Sequence, residues 1–404
     1  MAGRNSTNKQ SRNGTARRCG VVMGGALGAF VAAAAMATGS AAPAKADFEE
    51  LLDPIIQPLL TSLTDSLAGF DPAAATDITS WTDSLLSSLN SIDLALPSTA
   101  EPAAAVAAGA EPADSTATIP LTVLEGTEPA VNASIDGGGS VPLLVDTGSA
   151  GLVVPWQDLG SGSELQDLLS LGLPSSFGES GYSGGVDYIY LTYNNVPVDY
   201  LGGTGLATDG PVDVEVYSWD PSNIGSLFSN DAFQTFLGDN NVDGILGIGD
   251  NASGPTTSPF ADYGGVLVDI PQNQLVVSAT DPLSSYASTS GAPISTVLES
   301  VNGGTATSVS NDIDSGGVFG TIPSSLVSGS SVPSGTLITV DNAAGQQLYT
   351  YTTAGNFDVG TGTGVSDAPT VVSGTSIDSG VVPFLSHPVY VDYANDTLYF
   401  DNLT

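Results

Sequence analysis

The sequence predicts an all-β, bilobal fold with pseudo-two-fold symmetry, preceded by a short helical leader. Two observations carry the prediction. Residues 118–404 are dense in Gly, Ser, Thr, Val and Tyr, and short alternating runs such as Asp187-Tyr188-Ile189-Tyr190-Leu191-Thr192-Tyr193 are separated by Asn-Asn, Gly-Gly and Asp-Gly turns. The same stretch holds one β unit twice. Val145-Asp146-Thr147-Gly148-Ser149 runs on to Pro155, and Ile313-Asp314-Ser315-Gly316-Gly317 runs on to Pro323, the proline falling nine residues after the aspartate in both. A second pattern follows each of them: Val268-Asp269-Ile270 with Leu275-Val276-Val277, then Val391-Asp392-Tyr393 with Leu398-Tyr399-Phe400. A duplication over this length predicts two lobes, about 118–284 and about 285–404.

Ahead of that domain, residues 1–46 read as an export signal. Arg4, Lys9, Arg12, Arg17 and Arg18 form a basic stretch, an apolar run extends from Val21 to about Ala37, and Ala44-Lys45-Ala46 supplies a small-x-small cleavage site. The apolar run is short for a membrane span, so the mature form is expected to have none. In 47–96 apolar residues recur at helical spacing (Leu51, Leu52, Ile55, Ile56, Leu59, Leu60, Leu63, then Trp81, Leu85, Leu86, Leu89), broken at 69–72. This predicts two short amphipathic helices serving as a packing or spacer element. Residues 97–117 are rich in Ala, Pro, Ser and Glu without a periodic face, and read as a linker.

Charge narrows the chemistry before any motif is considered. All six Lys and Arg lie within residues 1–46, whereas all 43 Asp and Glu lie beyond them. A surface so acidic repels phosphate, which argues against nucleic acid and anionic membrane faces as partners. The one cysteine, Cys19, leaves with the signal, so the mature chain has no disulfide, Cys nucleophile, Lys Schiff base or Arg clamp, and a single histidine, His387. Carboxylates are the available acids and bases. Neither a metal nor another cofactor is expected, since His and Cys ligand sets are missing.

A duplicated Asp-Thr/Ser-Gly has a mechanical use when its copies face each other across a pseudo-two-fold axis. Asp146 and Asp314 then lie side by side around one water, and like charges that close cannot both ionise. One stays protonated as acid while its partner serves as base, titrating as a pair with an acidic optimum. Gly148 and Gly316 let the backbones approach, and the Thr147 and Ser315 hydroxyls can bond across the axis.

Over roughly 118–404 the chain resembles the pepsin-like aspartic proteases. Asp146 to Pro155 is similar to the family's first active-site loop and Asp314 to Pro323 to its second. Asp243-Gly-Ile-Leu-Gly-Ile-Gly249 is similar to the strand that closes the first lobe, and Tyr182-Ser-Gly-Gly185 sits where the family carries its substrate-covering flap tyrosine. The resemblance implies a pepsin-like acid protease fold and a monomeric, secreted or cell-surface aspartic endopeptidase. Its substrates would be proteins, either the chain itself near 97–117 or other exported surface proteins. The leader, acidity and lack of disulfides look most like the mycobacterial surface aspartic proteases associated with PE and PGRS proteins. Two positions depart from the pattern: Val153 stands where pepsins have the tryptophan that holds the flap tyrosine, and Gly317 replaces a hydroxyl residue, which implies an altered pH dependence.

Three motifs compete with this reading. Asp378-Ser379-Gly380 is a third Asp-Ser/Thr-Gly, but its proline falls at +5, and the duplication places it opposite the Asp243 strand. Gly181-Tyr182-Ser183-Gly184-Gly185 fits a nucleophile elbow, which with His387 would make a serine esterase; an elbow needs a helix after it, whereas 186–198 alternates as a strand. Asp239 to Asp250 matches most of a calcium loop, lacks its bidentate glutamate, and reads as an Asn-rich turn entering an apolar strand. The non-enzymatic alternative is a secreted β-rich adhesin.

Overall fold

A computed structural model describes residues 116–162, 164–182, 185–223, 226, 231–353 and 365–403, all within one compact unit spanning 110–404. The signal, the leader and nearly all of the linker lie outside the described residues, as does Ser183. The strands of the first half are β1 (Ala117–Pro120), β2 (Thr122–Leu124), β3 (Glu128–Ile135), β4 (Val141–Asp146), β5 (Ala150–Pro155), β6 (Ser176–Tyr182), β7 (Val186–Tyr200), β8 (Ala207–Trp219), β9 (Gly244–Ile248), β10 (Gly265–Asp269) and β11 (Gln274–Val277). Those of the second half are β12 (Ser285–Ser290), β13 (Ile294–Val301), β14 (Thr307–Asp312), β15 (Thr321–Pro323), β16 (Leu337–Asn342), β17 (Gln347–Thr353), β18 (Val365–Ser366), β19 (Thr370–Val372), β20 (Ser376–Asp378), β21 (Val389–Asp392) and β22 (Thr397–Asp401). Three short helices, α1 (Glu164–Ser170), α2 (Ala232–Asp239) and α3 (Val382–Ser386), complete the described elements used below.

The duplication seen in the sequence is a duplication of sheet topology. In the first lobe β3, β4, β9, β5 and β8 lie in that order, paired antiparallel, parallel, antiparallel and parallel. The second lobe repeats the order and senses with β13, β14, β20, β15 and β19. The other repeated pattern builds a six-stranded sheet, ordered β1-β11-β10-β21-β22-β12. Here each Val-Asp unit forms one strand of a hairpin, and the two hairpins meet at β10–β21 with Val266 opposite Val391. Val268, Leu275, Val389 and Leu398 are fully buried at that join and belong to a core that also takes in Val145, Leu152 and Ile313. A continuous apolar core under two active-site loops fixes their separation, because close-packed side chains leave little room to slide.

The sequence reading had no helix within the β domain, yet α2 is present. Its first turn is anchored to the sheet rather than self-capped: the Phe233 N–H donates to Ser218 Oγ of β8 at 2.9 Å. Phe233, Phe236 and Leu237 then bury one face against Val153, Tyr182 and Tyr188. The helix also precedes the Asp239–Asp243 turn, so that turn has a helix before it and strand β9 after it. Here Asn240 Nδ2 donates to the Phe236 carbonyl and Asn241 Nδ2 to Glu125 Oε1.

Candidate active site

Strands β4 and β14 end at the lobe interface, and the loops that follow them grip each other. Thr147 Oγ1 donates to the Ile313 carbonyl (2.7 Å) and accepts from the Ser315 N–H (2.8 Å). Ser315 Oγ reciprocates, donating to the Val145 carbonyl (2.6 Å) and accepting from the Thr147 N–H (3.0 Å). Both side chains are fully buried. Four bonds between segments so distant in sequence hold the two loops as one rigid piece, and none can be exchanged for water without an opening of the lobes. Ser315→Ala removes two of them and leaves the buried Thr147 N–H without an acceptor. The variant is expected to lose on the order of 3 kcal/mol in chemical denaturation; an unchanged denaturation midpoint would show the grip to be dispensable.

That grip places Asp146 and Asp314 face to face, each only 1 % exposed. Their carboxyls lie side by side, within reach of one backbone donor. The Gly148 N–H donates to Asp146 Oδ1 (2.8 Å) and also reaches Asp314 Oδ1 (3.2 Å), and the Gly316 N–H donates to Asp314 Oδ1 (2.8 Å). Glycine is required at both places. A Cβ on Gly148 would come within 2.5 Å of Asp314 Cγ, and one on Gly316 within 2.8 Å of Asp146 Oδ1. Ser149 Oγ adds a 2.6 Å bond to Asp146 Oδ2.

Electrostatics follows from burial without a counter-ion. Desolvation raises both carboxyls above the ordinary Asp range. At Asp146 the effect is opposed by hydrogen bonds from Asp314, Ser149 and Gly148. At Asp314 it is reinforced by the charges of Asp146, Asp378 and Asp312, so Asp314 stands well above that range. Both carboxyls are raised, Asp314 the further, as expected of two buried acids so placed that they can share one proton.

Tyr182 ends β6 beside the turn into β7, paired with Val186. It is buried, with its ring stacked on Phe236 (5.6 Å between centroids), Tyr188 (5.7 Å) and Phe233 (6.2 Å). Val153, too small to hold a tyrosine by itself, lies in the same cluster, as does Leu144 two residues before Asp146. The support that a tryptophan would give is thus supplied by α2, which the sequence reading missed although Phe233 and Phe236 sit at helical spacing.

Of the rivals, Asp378 at the end of β20 is the register partner of Asp312 at the end of β14. Ser379 Oγ accepts from the Asp314 N–H at 3.0 Å, a loop support that had not been singled out. His387 lies in the second lobe with its ring 5.0 Å from that of Tyr286, and burial lowers its basicity. Strand β7, not a helix, follows Gly185, so the geometry of a nucleophile elbow is not formed. Among the described residues no cluster of His, Cys, Asp and Glu has the arrangement of a metal site, and no helix is long and apolar enough to cross a membrane.

Two lobes of repeated topology joined by a bridging sheet, with a buried aspartate pair at their interface, define an aspartic peptidase-like protein. Residues 117–398 match the family model described as the PE-PGRS C-terminal aspartyl peptidase-like domain, and the chain belongs to that family. It is 37 % identical over 295 residues to PE cleavage protein A of Mycobacterium tuberculosis, and 41 % identical over 294 residues to PE cleavage protein A of Mycobacterium marinum. Each match covers 69 % of this chain and 50 % of the relative, so the chain spans about half the length of those proteins. A crystal structure of the aspartic proteinase from Irpex lacteus also aligns, with 15 % identity and a TM-score of 0.46 over 72 % of this chain and 98 % of that one.

Proposed function

We propose that this chain is an exported aspartic endopeptidase in which Asp146 and Asp314 activate one water between them. The observation that carries the reading is the meeting of two fully buried carboxyls at the Gly148 N–H in environments that differ, one with a hydroxyl donor and one without. As the better hydrogen-bonded anion, Asp146 takes a proton from the water as it attacks the peptide carbonyl carbon. Asp314, holding the shared proton, gives it to the carbonyl oxygen; the resulting tetrahedral diol collapses as Asp146 passes the water's proton to the departing amine and a diol hydroxyl returns its proton to Asp314. Tyr182 would cover an extended substrate lying between the lobes.

The relatives' name, PE cleavage protein A, suggests PE proteins as substrates, and the linker-like stretch 97–117 offers the chain itself as another. The protein would act outside the cytoplasm or at the cell surface, as a monomer and without a cofactor. The test is cleavage of a peptide library and of a PE protein at acidic pH by the secreted chain, with and without pepstatin. Pepstatin-sensitive cleavage is expected. Cleavage that ignores the inhibitor would sink the mechanism, and a folded chain that cleaves nothing would favour the adhesin reading.

A further inference from the structure

The two-fold relation between the lobes is broken beside Asp314. In the first lobe the residue two before the aspartate, Leu144 on β4, has Ile245 on β9 as its register partner, both fully buried. Ser149 Oγ completes the surroundings by donating to Asp146 Oδ2. In the second lobe the corresponding partners are Asp312 on β14 and Asp378 on β20, and Gly317 stands in the place of Ser149. A Cβ on Gly317 would lie 2.4 Å from Asp378 Oδ1 and 2.9 Å from Asp314 Oδ2. The Asp378 carboxyl therefore fills the space a side chain at this position would take. Asp314 Oδ2 and Asp312 Oδ1 are both buried without a hydrogen-bond partner, where Asp146 Oδ2 has its serine.

We propose that Asp312 and Asp378 are a second carboxyl pair that serves the first, holding the dyad's proton on Asp314 and leaving Asp146 as the base. The proposal rests on the aspartic peptidase reading above. Register partners on hydrogen-bonded strands lie about 5 Å apart at Cα, too close for both of these half-buried carboxyls to ionise, so the pair retains a proton and presents the remaining negative charge to Asp314. The Gly380 N–H, donating to Asp378 Oδ1 at 2.9 Å, orients that carboxyl. Other titratable groups facing the pair are Tyr349 and Tyr351 of β17, with Glu299 of β13 behind them; none is cationic. The displaced titrations agree. Burial, then Asp378 and Asp146, raise Asp312, while burial followed by Asp146, Asp378 and Asp312 raise Asp314. A hydroxyl at Asp146 stabilises its anion, whereas a carboxyl pair at Asp314 disfavours one, which polarises an otherwise symmetric dyad.

Two variants of the full exported chain test this. Asp378→Asn keeps the shape and cannot ionise, and Gly317→Ser with Asp378→Ala rebuilds the arrangement of the first lobe. The readouts are kcat and KM for a neutral peptide across pH, and the carboxyl ¹³C titration of Asp314 by NMR without substrate. In both variants the upper pH limb of kcat and the Asp314 titration are expected to move to lower pH by about one unit or more, with KM nearly constant. Limbs and titrations that stay in place in both variants would overturn the proposal. So would effects confined to KM for substrates with cationic side chains, which would make the pair a specificity pocket. If the wild type cleaves nothing while the Asp314 titration still moves, the peptidase reading fails and the control of Asp314 stands.

Discussion

Asp146→Asn and Asp314→Asn are each expected to lower kcat/KM by about 10³-fold or more while leaving the fold intact. Neither amide can exchange a proton: in the proposed mechanism the first substitution removes the base and the second the acid, and a pair that shares one proton has no spare member. The grip of Thr147 and Ser315 on the opposing backbones involves neither carboxyl, so the loops keep their places. Stability should move the other way. Asp314 is fully buried, opposed by three neighbouring carboxyls, and has one oxygen without a partner, so at neutral pH a neutral amide there relieves repulsion. Asp314→Asn is therefore expected to melt at a higher temperature than wild type near pH 7, the usual exchange of stability for function at a site. Activity assays beside thermal melts check both halves. Should Asp314→Asn still cleave while Asp378→Asn does not, the second dyad position would pass to Asp378.

The aspartates, the loop hydroxyls and the two-lobed topology were legible because each lies in the repeated unit, and internal repetition reports topology without any knowledge of packing. Asp378 could be set aside from spacing, and the structure gives the reason: it pairs with Asp312 in the register that Ile245 keeps with Leu144. The significance of that substitution stayed hidden. Aligning the two copies residue by residue puts aspartates opposite aliphatics, but only the crowding at Gly317 shows where their carboxyls point. Helix α2 was missed for a different reason. It has eight residues, ends in Gly238 and Asp239, and has no side-chain cap, so local propensity is weak, and burial of Phe233 and Phe236 decides the matter. What holds Tyr182 is likewise a tertiary fact, because Val153, Phe236 and Tyr188 are far apart in sequence and meet only in the fold.

A second large effect follows from carboxyls buried away from the site in a chain whose described residues contain no Lys or Arg. Burial pushes Glu299 and Glu128 up to about 8, Glu215 to about 7 and Asp213 to about 6. Burial, and after it the charge of Asp281, also pushes Asp401 up to about 8. In the unfolded chain these groups titrate near the ordinary carboxylate range, about 4. Between about pH 4 and about pH 8 the folded state thus binds more protons than the unfolded state, and stability must fall as pH rises. The stabilisation is complete below the unfolded values and is lost on passing up through the folded ones, the reverse of a protein held by salt bridges. Melting temperature is expected to be highest near pH 4 and to drop by about 10 °C or more by pH 8. Glu299 offers a clean internal control: it is 1 % exposed, its shift has burial as its only cause, and its Oε2 has no partner. Glu299→Gln should leave the melt near pH 4 almost where it was and raise it near pH 8, flattening the profile. A melting temperature that is level or climbs over this range would mean that the buried carboxyls are compensated by something other than protons. With the predicted slope, the conditions that keep a proton on the dyad are also those that keep the β-sheets together, so activity and stability would decline together as the surroundings approach neutrality.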